Sequence, residues 1–393
     1  MTTWRIPLSD IDLGKDEISA VEQVLQSRWL TMGAVTQEFE SAFASYTGAK
    51  YALAVTNCTA ALHMACMGIG LTAGDEVILP SLTFVATANC IRYTGATPVF
   101  ADIRSEKDLT IAPAAIEALI TGRTRAIMVM HYGGYACDMV PIMELARKYD
   151  LKVIEDAAHA AGAWLDGRHL GTWGDIGCFS FFSNKNMTTG EGGIVVTNDD
   201  ALHGKLRLLR SHGMTSLTWD RHKGHAWSYD VVELGYNYRI DELRAAIGKV
   251  QLAKLDRINE QRRHLIGQYR DRLQELPEIA APFSDHPGIT AAHIMPVLLP
   301  RGANRELFME HMKSRGIQTS IHYPPIHEFT AYRGMVDNNN RLSLTEDIAR
   351  REVTLPLYPG MNDEDVRIVV QAISESLSRS QTGSRLRREK TWN

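Results

Sequence analysis

Short apolar runs alternate with helical stripes from residue 51 to residue 154, and this alternation limits the possible folds more than any other feature of the chain. We predict strands at residues 51–55, 76–79, 98–101, 126–131, 151–154, 177–182 and 193–197. We predict helices at residues 59–67, 84–92, 113–119 and 140–149. Strands that alternate with helices indicate an α/β fold, with a mainly parallel sheet covered by helices on both faces.

The pattern changes near residue 250, where a long charged amphipathic stripe gives way to segments interrupted by proline. Because 393 residues exceed what one hydrophobic core usually holds, we expect two domains. We expect residues 1–250 to form a large domain with an N-terminal arm, and residues 251–378 to form a small α+β domain. Residues 379–393 are rich in Ser, Arg and Lys without a hydrophobic period, and we expect a disordered tail.

Composition argues against several classes of protein. A net charge of −4 gives no basis for general nucleic-acid binding. Five scattered cysteines without a CxxC pair argue against a disulfide framework and against structural zinc, and we expect no metal site. The chain has no apolar run near the roughly 18 residues of a membrane span, and its first residues lack a secretory signal pattern. We therefore expect a cytoplasmic protein.

An acid and a lysine give the strongest chemical signal. Asp156 follows a predicted strand within Glu-Asp-Ala-Ala-His at 155–159, and Lys185 lies 29 residues later within Ser-Asn-Lys-Asn-Met-Thr-Thr-Gly-Glu-Gly-Gly at 183–193. An enzyme that uses pyridoxal phosphate (PLP) needs such a pair. A lysine amine forms the Schiff base with the cofactor aldehyde, and a carboxylate keeps the pyridine nitrogen protonated. The end of a strand is also where ligands bind in open α/β sheets.

Seven segments then carry a resemblance to a known family. They are IPLSDIDLGKDEI with SRWLTMG, AVTNCTAALHMA, GDEVILPSLTFVATANCI, EDAAHAAGA, GDIGCFSFFSNKNMTTGEGG, LGYNYRIDELRAAIGKVQL and IHYPPIH. In these segments the chain resembles the DegT/DnrJ/EryC1/StrS family of PLP-dependent sugar aminotransferases of fold type I. The resemblance runs from Ile6 to about Leu377. It implies PLP as the cofactor and a homodimer whose subunits share the active sites.

The resemblance implies roles for individual cofactor residues. Lys185 corresponds to the Schiff-base lysine, and Asp156 to the partner of the pyridine nitrogen. His159 stands where the family has His or Gln, near the ring and its phenolic oxygen. Phe84 stands at the position of the aromatic side chain that stacks on the ring, a role that its flat apolar face suits.

The phosphate of PLP is expected at the start of a helix, where free N–H groups and the helix dipole favour an anion. Thr59, interpreted as the cap of that helix, and the Ala60 backbone correspond to the phosphate-binding residues, with Ser180 as a further hydroxyl donor. Asn237 resembles the asparagine that reaches the phosphate from the partner subunit. Cys58 departs from the family, which usually has Gly or Ser before the threonine.

The substrates follow from the same resemblance. It implies an amino donor, L-glutamate or L-glutamine, and a keto-sugar acceptor that is nucleotide-linked. His159 and the TTGEGG segment resemble members that act at C-4 of the sugar. The candidate substrate contacts are Trp29, Thr31, Arg239, His322, Tyr323 and His327.

Other functions stay open at this point. An aminotransferase could act on a non-sugar or cyclitol ketone, and a member of the fold could bind PLP as a sensor without catalysis. Related sugar dehydratases have histidine in place of the lysine, so Lys185 argues against that reaction. A nicotinamide dehydrogenase is disfavoured because no GxGxxG follows the first strand.

Overall fold

The computed structural model describes residues 4–216, 224, 228–335 and 342–389, with side chains described up to residue 377. The strands are β1 (Tyr51–Val55), β2 (Glu76–Pro80), β3 (Thr97–Ala101), β4 (Ile103–Ser105), β5 (Asp108–Ile111), β6 (Thr124–Met130), β7 (Lys152–Asp156), β8 (Trp164–Leu165), β9 (Arg168–His169), β10 (Ile176–Ser180), β11 (Gly193–Thr197), β12 (Met295–Leu298) and β13 (Glu352–Leu355). The helices are α1 (Lys15–Ser27), α2 (Ala34–Thr47), α3 (Cys58–Gly68), α4 (Ala86–Tyr93), α5 (Pro113–Leu119), α6 (Met139–Tyr149), α7 (Asp200–Arg210), α8 (Glu242–Leu273), α9 (Arg305–Ser314), α10 (Ser343–Arg351) and α11 (Asp363–Glu389).

Seven strands form the central sheet in the order β1-β11-β10-β7-β6-β2-β3. The run from β10 to β3 is parallel, whereas β11 is antiparallel to both of its neighbours. Two antiparallel steps return β1 to the direction of the parallel strands. The ends of β1, β2, β6, β7 and β10 therefore meet at one edge of the sheet. The predicted α/β class and mainly parallel sheet are confirmed.

One long helix, α8, connects the large sheet to the C-terminal part of the chain. It packs against α1 and α2 near its start and against α11 near its end, so it crosses the boundary that we placed at residue 250. Its buried face contains Gln251, Asn259 and Arg262 among the apolar side chains, in addition to Glu242 in its first turn. A charged stripe in the sequence gave no sign that polar groups also line the inward face.

The start of α8 also holds the segment that leads into α2. The carboxylate of Glu242 accepts hydrogen bonds from the backbone N–H groups of Gly33, Val35 and Thr36 at 2.8, 2.9 and 2.9 Å, and from the Thr36 hydroxyl at 2.6 Å. Glu242 thus satisfies the first N–H groups of α2, which have no partner within that helix. The backbone N–H of Glu242 in turn donates to the Leu30 carbonyl at 3.0 Å.

A separate apolar core lies in the C-terminal part, around the antiparallel pair of β12 and β13 and the helices α9 and α11. Ile6 belongs to this core, and it forms a parallel bridge to Ile317. The N-terminal arm that we assigned to the large domain therefore packs on the C-terminal part.

The last helix, α11, runs from Asp363 to Glu389. The helix continues through residues 379–389, residues 390–393 lie outside the described part, and the disorder expected for residues 379–393 stays a prediction. The segment contains no proline, and extending a helix that already exists avoids the cost of nucleation. In the described residues, no helix combines the length and the apolar character that crossing a membrane would need.

Candidate active site

Asp156 ends β7 at the edge of the sheet where the parallel strands finish, and only 4% of it is exposed. The Thr87 hydroxyl donates to its Oδ2 at 2.7 Å, and the backbone N–H of Ala158 donates to its Oδ1 at 3.1 Å. Burial raises the pKa of the Asp156 carboxyl, although these two hydrogen bonds and the charge of Lys185 oppose the rise. A buried carboxylate that accepts hydrogen bonds only from neutral donors would be stabilised in its ionised form by a cation placed beside it.

Lys185 lies in a turn between β10 and β11, with its backbone N–H bonded to the Phe182 carbonyl at 2.9 Å. The residue keeps some exposure, but its amine is poorly solvated. Desolvation lowers the pKa of the amine to about 8, and attraction to Asp156 opposes the shift. A much larger share of the amine is therefore neutral near pH 7 than in an ordinary lysine, and a neutral amine is the nucleophilic and proton-accepting form.

This shift predicts a distinct pH dependence for the cofactor-free protein. We expect Lys185 to react with an amine-specific acylating ester with a midpoint near pH 8, because only the neutral amine reacts. In the urea-unfolded protein the same lysine should follow a midpoint about 2 units higher, at the ordinary lysine value. Peptide mass spectrometry after short pulses across pH 6–11 measures both. Equal midpoints for Lys185 in the folded and the unfolded protein would contradict the desolvated environment.

His159 and Tyr323 form a hydrogen-bonded pair beside these groups. The backbone N–H of Gly133 donates to His159 Nδ1 at 3.3 Å, so the ring proton lies on Nε2, which is 3.0 Å from the Tyr323 hydroxyl. The tyrosine oxygen accepts this proton, which leaves its own O–H to donate elsewhere. Burial holds the pKa of His159 well below, and that of Tyr323 above, the usual range. The pair is therefore neutral across the physiological range.

Phe84 lies between β2 and α4, and 56% of its side chain is exposed. Its ring centroid is 5.9 Å from that of Tyr323 at an angle of 52°. The contact places the predicted stacking residue at the same edge of the sheet as His159. A large exposed aromatic ring beside buried polar groups is free to cover a flat ligand.

The helix proposed to hold the phosphate begins at Cys58, and its cap is Asn57 rather than Thr59. The Asn57 side chain accepts the N–H of Ala60 at 2.9 Å, so this amide already has a partner. Thr59 is instead the second residue of α3 and is partly exposed. Asparagine and threonine are both good caps, and the sequence contains the two types two positions apart. The assignment of Thr59 as the cap was wrong.

The turn before α3 lies directly on the first residue of β11. A Cβ atom on Gly193 would lie 2.7 Å from the backbone of Asn57 and Cys58. The last glycine of the TTGEGG segment therefore lets the Lys185 loop approach the start of α3. Ser180, at the end of β10, is buried nearby in the sheet, and its Oγ accepts the N–H of Phe182 at 3.3 Å.

Asn237 and Arg239 lie in the strand-like segment before α8. Asn237 is exposed and forms an antiparallel bridge to Ser211, and Arg239 forms one to Val55 at the end of β1. Desolvation lowers the pKa of the partly buried Arg239 guanidinium. The structure thus places Arg239 at the active-site edge of the sheet, and it leaves the Asn237 side chain facing outward.

Two of the histidines predicted to face the substrate have other partners. His322 is 2.7 Å from the Thr354 hydroxyl through Nδ1, and its backbone N–H donates to the buried Glu352 carboxylate at 2.8 Å. His327 is 2.7 Å from the Ser81 hydroxyl and lies 3.6 Å from Glu346. His322 still contacts the site, since its ring centroid is 6.4 Å from that of His159. His327 connects the end of β2 to the C-terminal part, and its assignment to the substrate stays a prediction.

The segment with Trp29 and Thr31 lies against the start of α8, where the backbone N–H of Glu242 donates a hydrogen bond to the Leu30 carbonyl. Thr31 is exposed, and Trp29 is partly exposed. Neither residue has a described contact with Lys185 or Asp156, so their assignment to the substrate stays a prediction.

Sequence reasoning missed several groups that position the site. Thr87 bonds Asp156 from one turn beyond Phe84, and Asn186 next to Lys185 is buried with polar partners. Glu155, the neighbour of Asp156, is completely buried, accepts the N–H groups of Gly171 and Gly174, and lies 2.9 Å from His131. The sequence feature that could have identified Glu155 as a positioning group is a carboxylate directly after a predicted apolar strand.

The residues fit PLP on two structural observations. The Asp156 carboxylate is buried with neutral donors, which suits a protonated pyridine nitrogen, and the Lys185 amine is desolvated, which suits a reaction with an aldehyde. Phe84 would cover the ring, and the start of α3 would receive the phosphate. The fold and the site together define a PLP-dependent enzyme of the α/β class.

Comparisons with known proteins agree with this class. The chain matches the DegT/DnrJ/EryC1/StrS aminotransferase family over residues 11–374 and belongs to that family. It is 40% identical over 380 residues to the spore coat polysaccharide biosynthesis protein SpsC of Bacillus subtilis (strain 168), a match that covers 94% of this chain and 96% of that protein.

Two solved structures are also similar. Helicobacter pylori PseC, an aminotransferase involved in the biosynthesis of pseudoaminic acid, has a TM-score of 0.89 and 30% identity over 95% of this chain and 99% of that one. DesI, solved in the presence of its TDP-sugar product, has a TM-score of 0.87 and 30% identity over 98% and 96%. The protein is thus a PLP-dependent enzyme of a sugar aminotransferase family, as the sequence predicted.

Proposed function

We propose that the protein transfers the amino group of L-glutamate, or of L-glutamine, to C-4 of a nucleotide-linked keto-sugar. The observation that carries the proposal is the desolvated Lys185 amine facing the charge of the buried Asp156 carboxylate. In this reading it acts as a cytoplasmic homodimer, in which Asn237 of each chain serves the site of the other. The exposed Asn237 side chain is consistent with such a contact.

Each residue has a defined task in this proposal. PLP supplies an electron sink for the substrate carbon that loses its proton. The neutral amine of Lys185 binds the cofactor and then carries that proton between carbon atoms. Asp156 holds the proton on the pyridine nitrogen. Tyr323, whose oxygen already accepts the His159 proton, donates its hydroxyl hydrogen toward the cofactor or the substrate.

The acceptor is proposed to be nucleotide-linked because Arg239 offers a cation at the same edge of the sheet. Arginine binds phosphate oxygens through several parallel N–H groups. The TDP-sugar product in the DesI structure supports this class of acceptor, and SpsC supports a role in polysaccharide synthesis. His159 and the TTGEGG segment support C-4.

A panel of acceptors tests the proposal. The purified protein is incubated with L-glutamate and, in parallel, with a TDP-linked 4-keto-hexose, its 3-keto isomer and a keto-cyclitol. We expect an amino sugar only from the 4-keto compound, with the new C–N bond located at C-4 by NMR. Turnover of the cyclitol alone, or amination at C-3 alone, would overturn the proposed acceptor. The same reactions with L-glutamine in place of L-glutamate show which of the two amino acids is the donor.

A further inference from the structure

A chain of buried polar side chains lies behind the loop that carries Lys185. Asn186 Nδ2 donates to Asn259 Oδ1 at 2.7 Å and to the Ala291 carbonyl at 2.6 Å. Asn259 Nδ2 donates to the Ala161 carbonyl at 2.9 Å, and His293 Nδ1 lies 2.7 Å from Asn186 Oδ1. Asn186, Asn259 and His293 are all at least nine-tenths buried.

Two backbone carbonyls fix the direction of every bond in this chain. The carbonyls of Ala291 and Ala161 can only accept, so both asparagine amide groups must face them with nitrogen. Asn186 Oδ1 therefore faces His293, and the Nδ1 of His293 must carry a proton. Burial and the nearby His159 ring keep the pKa of His293 well below its usual value, so the ring is neutral and donates only from Nδ1.

The chain joins the two loops that carry the candidate catalytic groups. Ala161 is two residues beyond His159, and Asn186 is the next residue after Lys185. Asn259 bridges them from α8, while the ring centroid of His293 lies 4.3 Å from that of His159. The bridge requires a close approach, because a Cβ on Gly162 would lie 2.3 Å from Asn259 Nδ2.

A buried polar chain of this kind costs free energy unless every group has a partner. An apolar side chain at position 186 would avoid that cost, but it would make no directional hydrogen bonds that fix the orientation of the loop. We propose that Asn186 is a positioning residue that, through Asn259 and His293, holds Lys185 in one orientation relative to Asp156 and His159. The inference rests on the proposed role of Lys185 in amino transfer.

The test compares Asn186→Ala and Asn259→Ala with Asn304→Ala. Asn304 caps α9 by accepting the N–H of Leu307 at 3.0 Å, so its loss destabilises the protein without touching the site. We expect kcat to fall about 10- to 100-fold in the first two variants with KM changed less than about 3-fold, as for a displaced reacting group. Asn304→Ala should lower Tm with kcat unchanged.

A second measurement does not depend on turnover. In the cofactor-free protein, we expect the acylation midpoint of Lys185 to move upward from about pH 8 in Asn186→Ala, because a freed loop exposes the amine to water. The double variant should show the same loss in kcat as Asn186→Ala alone, since both residues act through one chain. Asn259→Ser, a milder change, provides the same readouts if Asn186→Ala does not fold.

A lowered Tm with unchanged kcat and unchanged Lys185 acylation would overturn the proposal. The hydrogen-bonded side chains would then serve only the stability of the fold. Losses in kcat that multiply in the double variant would also overturn it, because the two residues would then act separately. If no acceptor is turned over by the wild-type protein, the proposed function fails, yet the acylation midpoints still decide the role of Asn186.

Discussion

Replacing Lys185 with alanine is expected to lower the rate of amino transfer by about 10⁴-fold or more, because the site loses both its nucleophile and its proton carrier. Conversion of L-glutamate to the oxoacid in the presence of a keto-sugar measures the loss. Lys185→Arg should be as inactive as Lys185→Ala. A guanidinium keeps the positive charge near Asp156 but does not lose its proton in a protein.

The matched control is Lys249→Ala, which removes a partly exposed lysine from α8 and its pair with Glu38. This variant should keep the wild-type rate, since surface ion pairs contribute little. Full activity in Lys185→Ala would remove the basis of the proposed mechanism. Activity in Lys185→Arg would show that only a positive charge is needed at this position.

Replacing Asp156 with asparagine is expected to have two effects of opposite sign. The rate should fall about 10²- to 10⁴-fold, because a neutral amide does not hold a proton on the pyridine nitrogen. The cofactor-free protein should be at least as stable as the wild type. Burial raises the pKa of the Asp156 carboxyl, so at pH values above its ordinary pKa this group destabilises the folded chain relative to a neutral side chain.

Asparagine is the informative replacement because its Oδ1 can still accept one of the hydrogen bonds from Thr87 and Ala158. Rates with saturating PLP and the urea midpoint of the cofactor-free protein give the two readouts. A rate within about 3-fold of the wild type would contradict the proposed role. A marked fall in the midpoint would instead show that the carboxylate serves the fold.

The sheet could be predicted from sequence because its strands are short apolar runs bounded by turns. The bounds of β1, β11 and α5 agree with the prediction, and α5 begins with a proline that suits the first turn of a helix. Asp156 could be predicted to lie at the edge of the sheet because it directly follows one of these apolar runs. The C-terminal extent of α11 could not be predicted, because residues 379–389 have no hydrophobic period.

The parts of the site that were not predicted depend on contacts between distant residues. Asn186 meets Asn259 and His293, which are 73 and 107 positions away in sequence. Periodicity shows which face of α8 is buried, but it does not show which buried asparagine bonds another. The contact of His327 could not be predicted either, since its partner Ser81 lies 246 positions away.

The most direct test of the account is the visible absorption of the purified protein before and after addition of L-glutamate. We expect a yellow protein, with PLP attached to Lys185, whose colour fades with L-glutamate and returns with an excess of the keto-sugar. Lys185→Ala in the same experiment should not show the wild-type colour change. A protein that stays colourless with added PLP would contradict the central claim that Lys185 and Asp156 form the cofactor site.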